Sequence, residues 1–170
     1  MACSNITQGY SKSCDNIASG IKNLWIGNYS TSTVWNHIAN DVVSGATGAP
    51  TFYQVELREG TCSYTEEIVA NAQFGIKNIR MNFELVIIGQ SQSGRTFVND
   101  LLGASVVLGV ETEQGPFILA GETKGLEVVA GRSTAGIQAG EENTIRVTIS
   151  GLANEFAPTV NATYAATLFT

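Results

Sequence analysis

A chain of 170 residues is long enough to bury a proper core, and its nine basic residues against fifteen acidic ones, for a net charge of −6, form no basic cluster. Gripping phosphate backbones takes clustered Lys and Arg, so the balance argues against a nucleic-acid-binding surface. Three cysteines without a C-x-x-C pair (Cys3, Cys14 and Cys62) and the single histidine His37 argue against a zinc site.

The N-terminal stretch MACSNITQGYSKSCDN has no apolar centre of the signal-peptide kind, and no run of about eighteen apolar residues occurs. The chain is therefore expected to fold in a cytosol, with no membrane partner and with free thiols. Pairing of Cys3 with Cys14, or with a neighbouring subunit's arm, is the alternative. Residues 1–20 are polar and glycine-punctuated, with Ile6, Tyr10 and Ile17 as isolated anchors, and they predict an N-terminal arm. Residues 21–27 and 33–38 then read as strands joined across Asn28-Tyr-Ser-Thr-Ser32, a first hairpin with Trp25 and Trp35 in the core or at a subunit contact. His37 is expected as a polar neighbour on the second of them.

Small residues and glycines break the stretch DVVSGATGAP, which predicts a loop from Asp41 to Pro50. It is the candidate inter-subunit loop, with Asp41, Val42, Val43, Gly45, Gly48 and Pro50 as its marked residues. Thr51–Arg58 alternates, with Tyr53, Val55 and Leu57 on one face and Phe52, Gln54, Glu56 and Arg58 on the other. Glu59-Gly60 is expected to turn it back into Cys62–Val69. Neighbouring Glu66 and Glu67 point to opposite faces of such a strand, so they do not make a catalytic carboxylate pair.

From Gln73 to Ser105 the pattern is clearest: Ile79, Met81, Phe83, Leu85 and Ile87 alternate with Asn78, Arg80, Asn82 and Glu84 in one long half-buried strand. After Gly89 the period changes to about 3.6, and Phe97, Val98, Leu101 and Leu102 form one apolar stripe. This predicts a helix over about residues 93–102, with Ser93 as N-cap and Gly103 as a left-handed stop. Gly89–Thr96 fits the phosphate-loop pattern G-x-x-x-x-G-K-[ST] except for Arg95 in place of Lys. Such a site sits on a parallel sheet fed by repeated βαβ crossovers, and one helix is too few, so an ordinary strand–turn–helix junction is the better reading.

Val106–Glu111 and Phe117–Ala120 predict another hairpin, Leu126–Ala130 continues the sheet, and Thr144–Ser150 alternates Ile145, Val147 and Ile149 against polar partners. The tail after Asn154 scatters Phe156, Tyr164, Leu168 and Phe169 without a regular repeat and predicts a C-terminal arm ordered by a neighbour. The fold class that follows is mainly β: an antiparallel two-sheet sandwich or barrel over residues 21–153 with one flanking α-helix. Extended arms cover residues 1–20 and 154–170.

The hairpin-like TFYQVELREGTCSYTEEI, the long strand into one helix, and VVLGVETEQGPFILAGETKGLEVVAG before a last alternating strand together resemble the tail tube proteins of bacterial viruses, particularly those of Bacteroidetes hosts. The resemblance implies six-fold rings that stack into a hollow tube for genome delivery, with strands of every subunit joined in a lumenal barrel and a loop or arm bridging rings. The implied partners are other copies of the chain and further tail and neck proteins, with DNA passing without specific binding. The implied location is the virion tail, after synthesis in a bacterial cytoplasm, with no catalysis, cofactor or metal. An acidic chain suits a conduit past which phosphate slides. Glu56, Glu66 and Glu84, each expected on a strand with an opposite apolar face, are the candidate lumen-facing residues. The alternatives are a neck, head-decoration or capsid-associated β-sandwich and, further off, a nucleotide-binding protein using Gly89–Thr96. An adhesin is disfavoured by the missing export signal.

Overall fold

The computed structural model describes residues 20–57, 60–71, 73, 75–136 and 141–169. All but Gly20 of the expected N-terminal arm lies outside them, Cys3 and Cys14 included. Strands β1 (Ile21–Asn28), β2 (Val34–Ile38), β3 (Val42–Thr47), β4 (Phe52–Val55), β5 (Ser63–Asn71) and β6 (Ile76–Ile88) lead into helix α1 (Gln92–Leu102). Strands β7 (Val106–Thr112), β8 (Phe117–Ala120), β9 (Glu127–Thr134), β10 (Thr144–Ala153) and β11 (Thr159–Val160) follow, and helix α2 (Ala162–Leu168) comes last. The fold is mainly β, with a seven-stranded sheet ordered β2-β3-β11-β8-β7-β1-β4 and a four-stranded sheet ordered β5-β6-β10-β9. Neighbouring strands are antiparallel apart from the short parallel pair β11 and β3.

The first core lies between the two sheets. Met81, Phe83 and Leu85 of β6 and Val147 and Ile149 of β10 face Leu24 and Ile26 of β1 and Leu108 and Val110 of β7, all buried. The alternation seen in the sequence of β6 is what builds this surface, because period-two apolar residues share one face. Helix α1 adds Leu101, Phe97 and Val98 to the same core. Its N-cap is Ser91, two residues before the one expected: the Gly94 backbone N–H donates to Ser91 Oγ at 3.1 Å. Gly89, at φ 83°, turns the chain so sharply out of β6 that the helix starts early. Gly103 caps the other end with a right-handed backbone at φ −100°, not a left-handed one, its N–H donating to the Leu101 carbonyl. A tightened last turn suffices because β7 begins three residues later.

A second core lies on the far face of the seven-stranded sheet. Trp25, Val43, Phe52, Val107, Leu119 and Val160 are buried there together with Ala165 and Phe169 of the C-terminal segment. The Trp35 and Phe52 rings are 6.4 Å apart, although β2 and β4 stand at opposite ends of the strand order. The sheet therefore curls, and Phe169 sits inside the curl: it stacks on Trp25 at 4.9 Å and on Phe117 at 5.5 Å, and meets Phe52 edge-on at 5.1 Å. The C-terminal segment is thus packed on its own chain, which corrects the extended arm expected from Asn154 onward. Asn161 caps α2 by accepting from the Thr163 N–H, and β11 pairs between β3 and β8.

Four further expectations are corrected. Strand β1 pairs with β7 and β4, not with β2, because it is apolar on both faces and needs partners on both sides. The expected hairpin of β4 and β5 does not form: β4 lies in the seven-stranded sheet and β5 in the four-stranded one, so the chain crosses between layers there. β9 likewise leaves the sheet of β7 and β8 to pair with β10. The predicted loop from Asp41 to Pro50 is mostly β3. Small residues form this strand because β2 and β11 satisfy its backbone on both edges and Val43 is fully buried.

One buried charge is built into this frame. Glu111 of β7 accepts from Asn23 Nδ2 at 2.6 Å and from Lys22 Nζ at 2.8 Å. Burial opposes its ionisation, yet the Asn23 amide and the Lys22 ammonium outweigh that and hold the carboxyl below its usual range. A depressed carboxyl contributes stability that is present above its unfolded value, roughly 4.3, and is lost as pH falls through the folded one. Glu111→Gln is expected to cost about 1 kcal/mol at pH 7, chiefly by weakening the charge-assisted bond to Asn23. In urea titrations that deficit should shrink to nothing as pH is lowered below about 4.

Candidate assembly surfaces

The four-stranded sheet turns one face to the first core and the other to solvent. In antiparallel neighbours, opposed residues point the same way. Glu67 and Arg80 are opposed, as are Thr65, Asn82 and Ser150, and Ser63, Glu84 and Thr148. Together with Arg146 and Arg132, opposed on β10 and β9, they make an outer face that is mostly polar, with Ile76, Ile88 and Leu152 exposed toward its ends. Its charges are tied down locally: Arg146 lies 3.1 Å from Glu84 and also pairs with Glu142 at 2.6 Å.

The three glutamates marked from the sequence do not share a surface. Glu84 belongs to the outer face. Glu66 stands opposite the buried Met81 and so points to the inner face, where it accepts from the Tyr64 hydroxyl at 2.7 Å and the Ala157 N–H at 2.8 Å. Burial, reinforced by the bond to Glu66, holds the Tyr64 hydroxyl protonated well above its ordinary range. Glu56 is exposed in the crossing that follows β4. Which face a glutamate takes depends on register, and register here is set by non-local pairing.

Of the residues marked in the predicted inter-subunit loop, Val43 is core and Val42 and Gly45 lie in β3. Asp41 lies in the β2–β3 turn, where it and Asn40 adopt left-handed backbone at φ 57° and 64°, a conformation Asp and Asn tolerate. Gly48, at φ 98°, and the half-buried Pro50 lie in the next connection.

That β2–β3 turn borders a cleft of about 220 Å³. His37 Nδ1 lies 2.8 Å from Asp41 Oδ1, and its Nε2 lies 3.3 Å from Glu122 Oε2. Burial raises the Glu122 carboxyl; His37 opposes the rise, while Asp41 and Glu155 add to it. The row ties the turn to the β8–β9 connection across the cleft mouth. Sequence spacing does not bring residues 37 and 122 together, so this cluster was not legible beforehand. Among the described residues no group of three His, Cys, Asp or Glu side chains is arranged to hold a metal.

Gly89–Thr96 joins β6 to α1, and β6 has antiparallel neighbours on both sides, β5 and β10. The Arg95 guanidinium donates to the Gln90 side chain, which in turn accepts from Ser133. The arginine is therefore engaged in bracing the junction against β9. Sequence comparison supplies no relative: no protein-family model and no curated protein matches the chain.

Proposed function

We propose that the chain is a structural virion protein of the tail-tube kind, which assembles into closed rings that stack as a conduit for DNA. The observation that supports this most is the four-stranded sheet. Among the described residues, strands β5 and β9 each have a partner on one side only, over nine and eight residues, at opposite ends of one sheet. An even number of alternating strands makes these two edges antiparallel to each other. An identical copy set edge to edge therefore continues the same alternation, a heterologous contact that closes into a ring when the rotation allows. Free strand edges of this length are aggregation-prone unless they are covered.

In such a ring the polar outer face lines the channel. Glu67, Glu84 and Glu127 there are offset by Arg80, Arg132 and Arg146. With Glu142 also bound to Arg146, the wall carries slightly more acid than base and its arginines are dispersed, which supports passage of phosphate without adhesion. The slipperiness rests on that dispersal and not on an acidic lining by Glu56, Glu66 and Glu84 together. Purified full-length chain should give rings or tubes in negative-stain micrographs, lengthening with concentration in sedimentation. A monomer at every concentration would overturn the proposal, as would magnesium-dependent nucleotide hydrolysis abolished by Arg95→Ala.

A further inference from the structure

The edge of β9, free among the described residues, carries a notch. Gly131 faces inward opposite Val147, and a Cβ there would meet only the Arg146 carbonyl oxygen, at 3.3 Å. The space left open is floored by Ile145 and Val147 and walled by Val98 and Leu102 of α1 and by Val128. Leu102, beside it, is 62% exposed. At the other end of the sheet, Ile68 on the free edge of β5 also faces inward, opposed to the buried Ile79, yet is 66% exposed. One edge bears an apolar knob and the other an apolar socket, both on the same face of the sheet.

We infer that a second copy of this chain docks here, with Ile68 of its β5 opposite Gly131 of β9 and seated in the notch beside Val98 and Leu102. This rests on the ring reading and adds its register. In an antiparallel pair the residue numbers run in opposite directions, so setting Ile68 against Gly131 sets Glu67 against Arg132, both on the outer face. Thr65 then faces Thr134. A shift by two residues, the smallest that keeps the faces, places Glu66 or Ala70 in the notch and takes Glu67 away from Arg132. Apolar fit and charge complementarity select the same register independently.

The test starts from assembling wild-type chain. Glu67→Arg should raise the concentration needed for ring formation by about tenfold, since like charges then face one another across every interface. Glu67→Arg combined with Arg132→Glu should restore it. Both positions are exposed, and circular dichroism would verify that each variant folds. With the native cysteines replaced by serine, Thr65→Cys with Thr134→Cys should give an oxidised ladder of linked subunits. Ser63→Cys with Thr134→Cys, two residues out of step, should not. Rings that ignore the charge reversal, or that cross-link through Ser63→Cys instead, overturn this register and leave the ring reading standing. Failure of the wild-type chain to assemble removes both.

Discussion

Replacing Phe169 with alanine is expected to lower the unfolding free energy by about 4 kcal/mol, near the upper part of the range for emptying a buried aromatic site. Phe169 is only 8% exposed, and its ring touches Trp25, Phe117 and Phe52 at once. Aromatic contacts of this geometry add about 0.5–1.5 kcal/mol beyond buried area. The ring also stands where collapse is difficult. Strands on both sides of it belong to one hydrogen-bonded sheet, whose curl brings Trp35 to Phe52. A cavity there cannot shrink without breaking strand pairing, so most of the cavity cost remains. Urea unfolding would measure the loss, and the fluorescence of Trp25 in the folded variant should shift to the red as water reaches it. A loss below about 1 kcal/mol would mean that the C-terminal segment is not seated in the curl.

The importance of that residue was half visible in the sequence. Tyr164, Ala165, Leu168 and Phe169 are spaced as one helical face, and Asn161 before them is a capping residue, but seven residues make a weak periodic signal. Strand β6 was legible because Asn78 to Leu85 alternate without a break, and helix α1 because Phe97, Val98, Leu101 and Leu102 keep helical spacing. Pairing was not. The turn-like residues after β1 suggest a local hairpin with β2, whereas β1 finds β7, more than seventy residues on. Nothing short-range encodes that choice; it follows from Leu24, Trp25 and Ile26 needing cover on both faces. The same gap misplaced Glu66, since facing is a property of the register with β6 and not of the glutamate. Small-residue β3 stayed hidden because its stability comes from its neighbours' backbones and a single buried valine.

Gly109→Ala should be nearly as costly as the loss of Phe169, at about 3 kcal/mol, for the opposite reason. A Cβ at Gly109 would lie 2.3 Å from one carbon of the Phe169 ring and 2.5 Å from another, closer than any packed pair of carbons. Relief by backbone movement is blocked, because Gly109 is held between Trp25 on β1 and Leu119 on β8. The ring must leave its stack instead. In a strand interior, however, alanine is otherwise preferred to glycine by about 0.5–1 kcal/mol. Once Phe169 has been replaced by alanine, the same Gly109→Ala change should therefore cost nothing and partly refill the cavity. The two single losses would fail to add by about 3 kcal/mol in a double-mutant cycle. Simple additivity would place the ring elsewhere and leave Gly109 without a packing reason to be glycine.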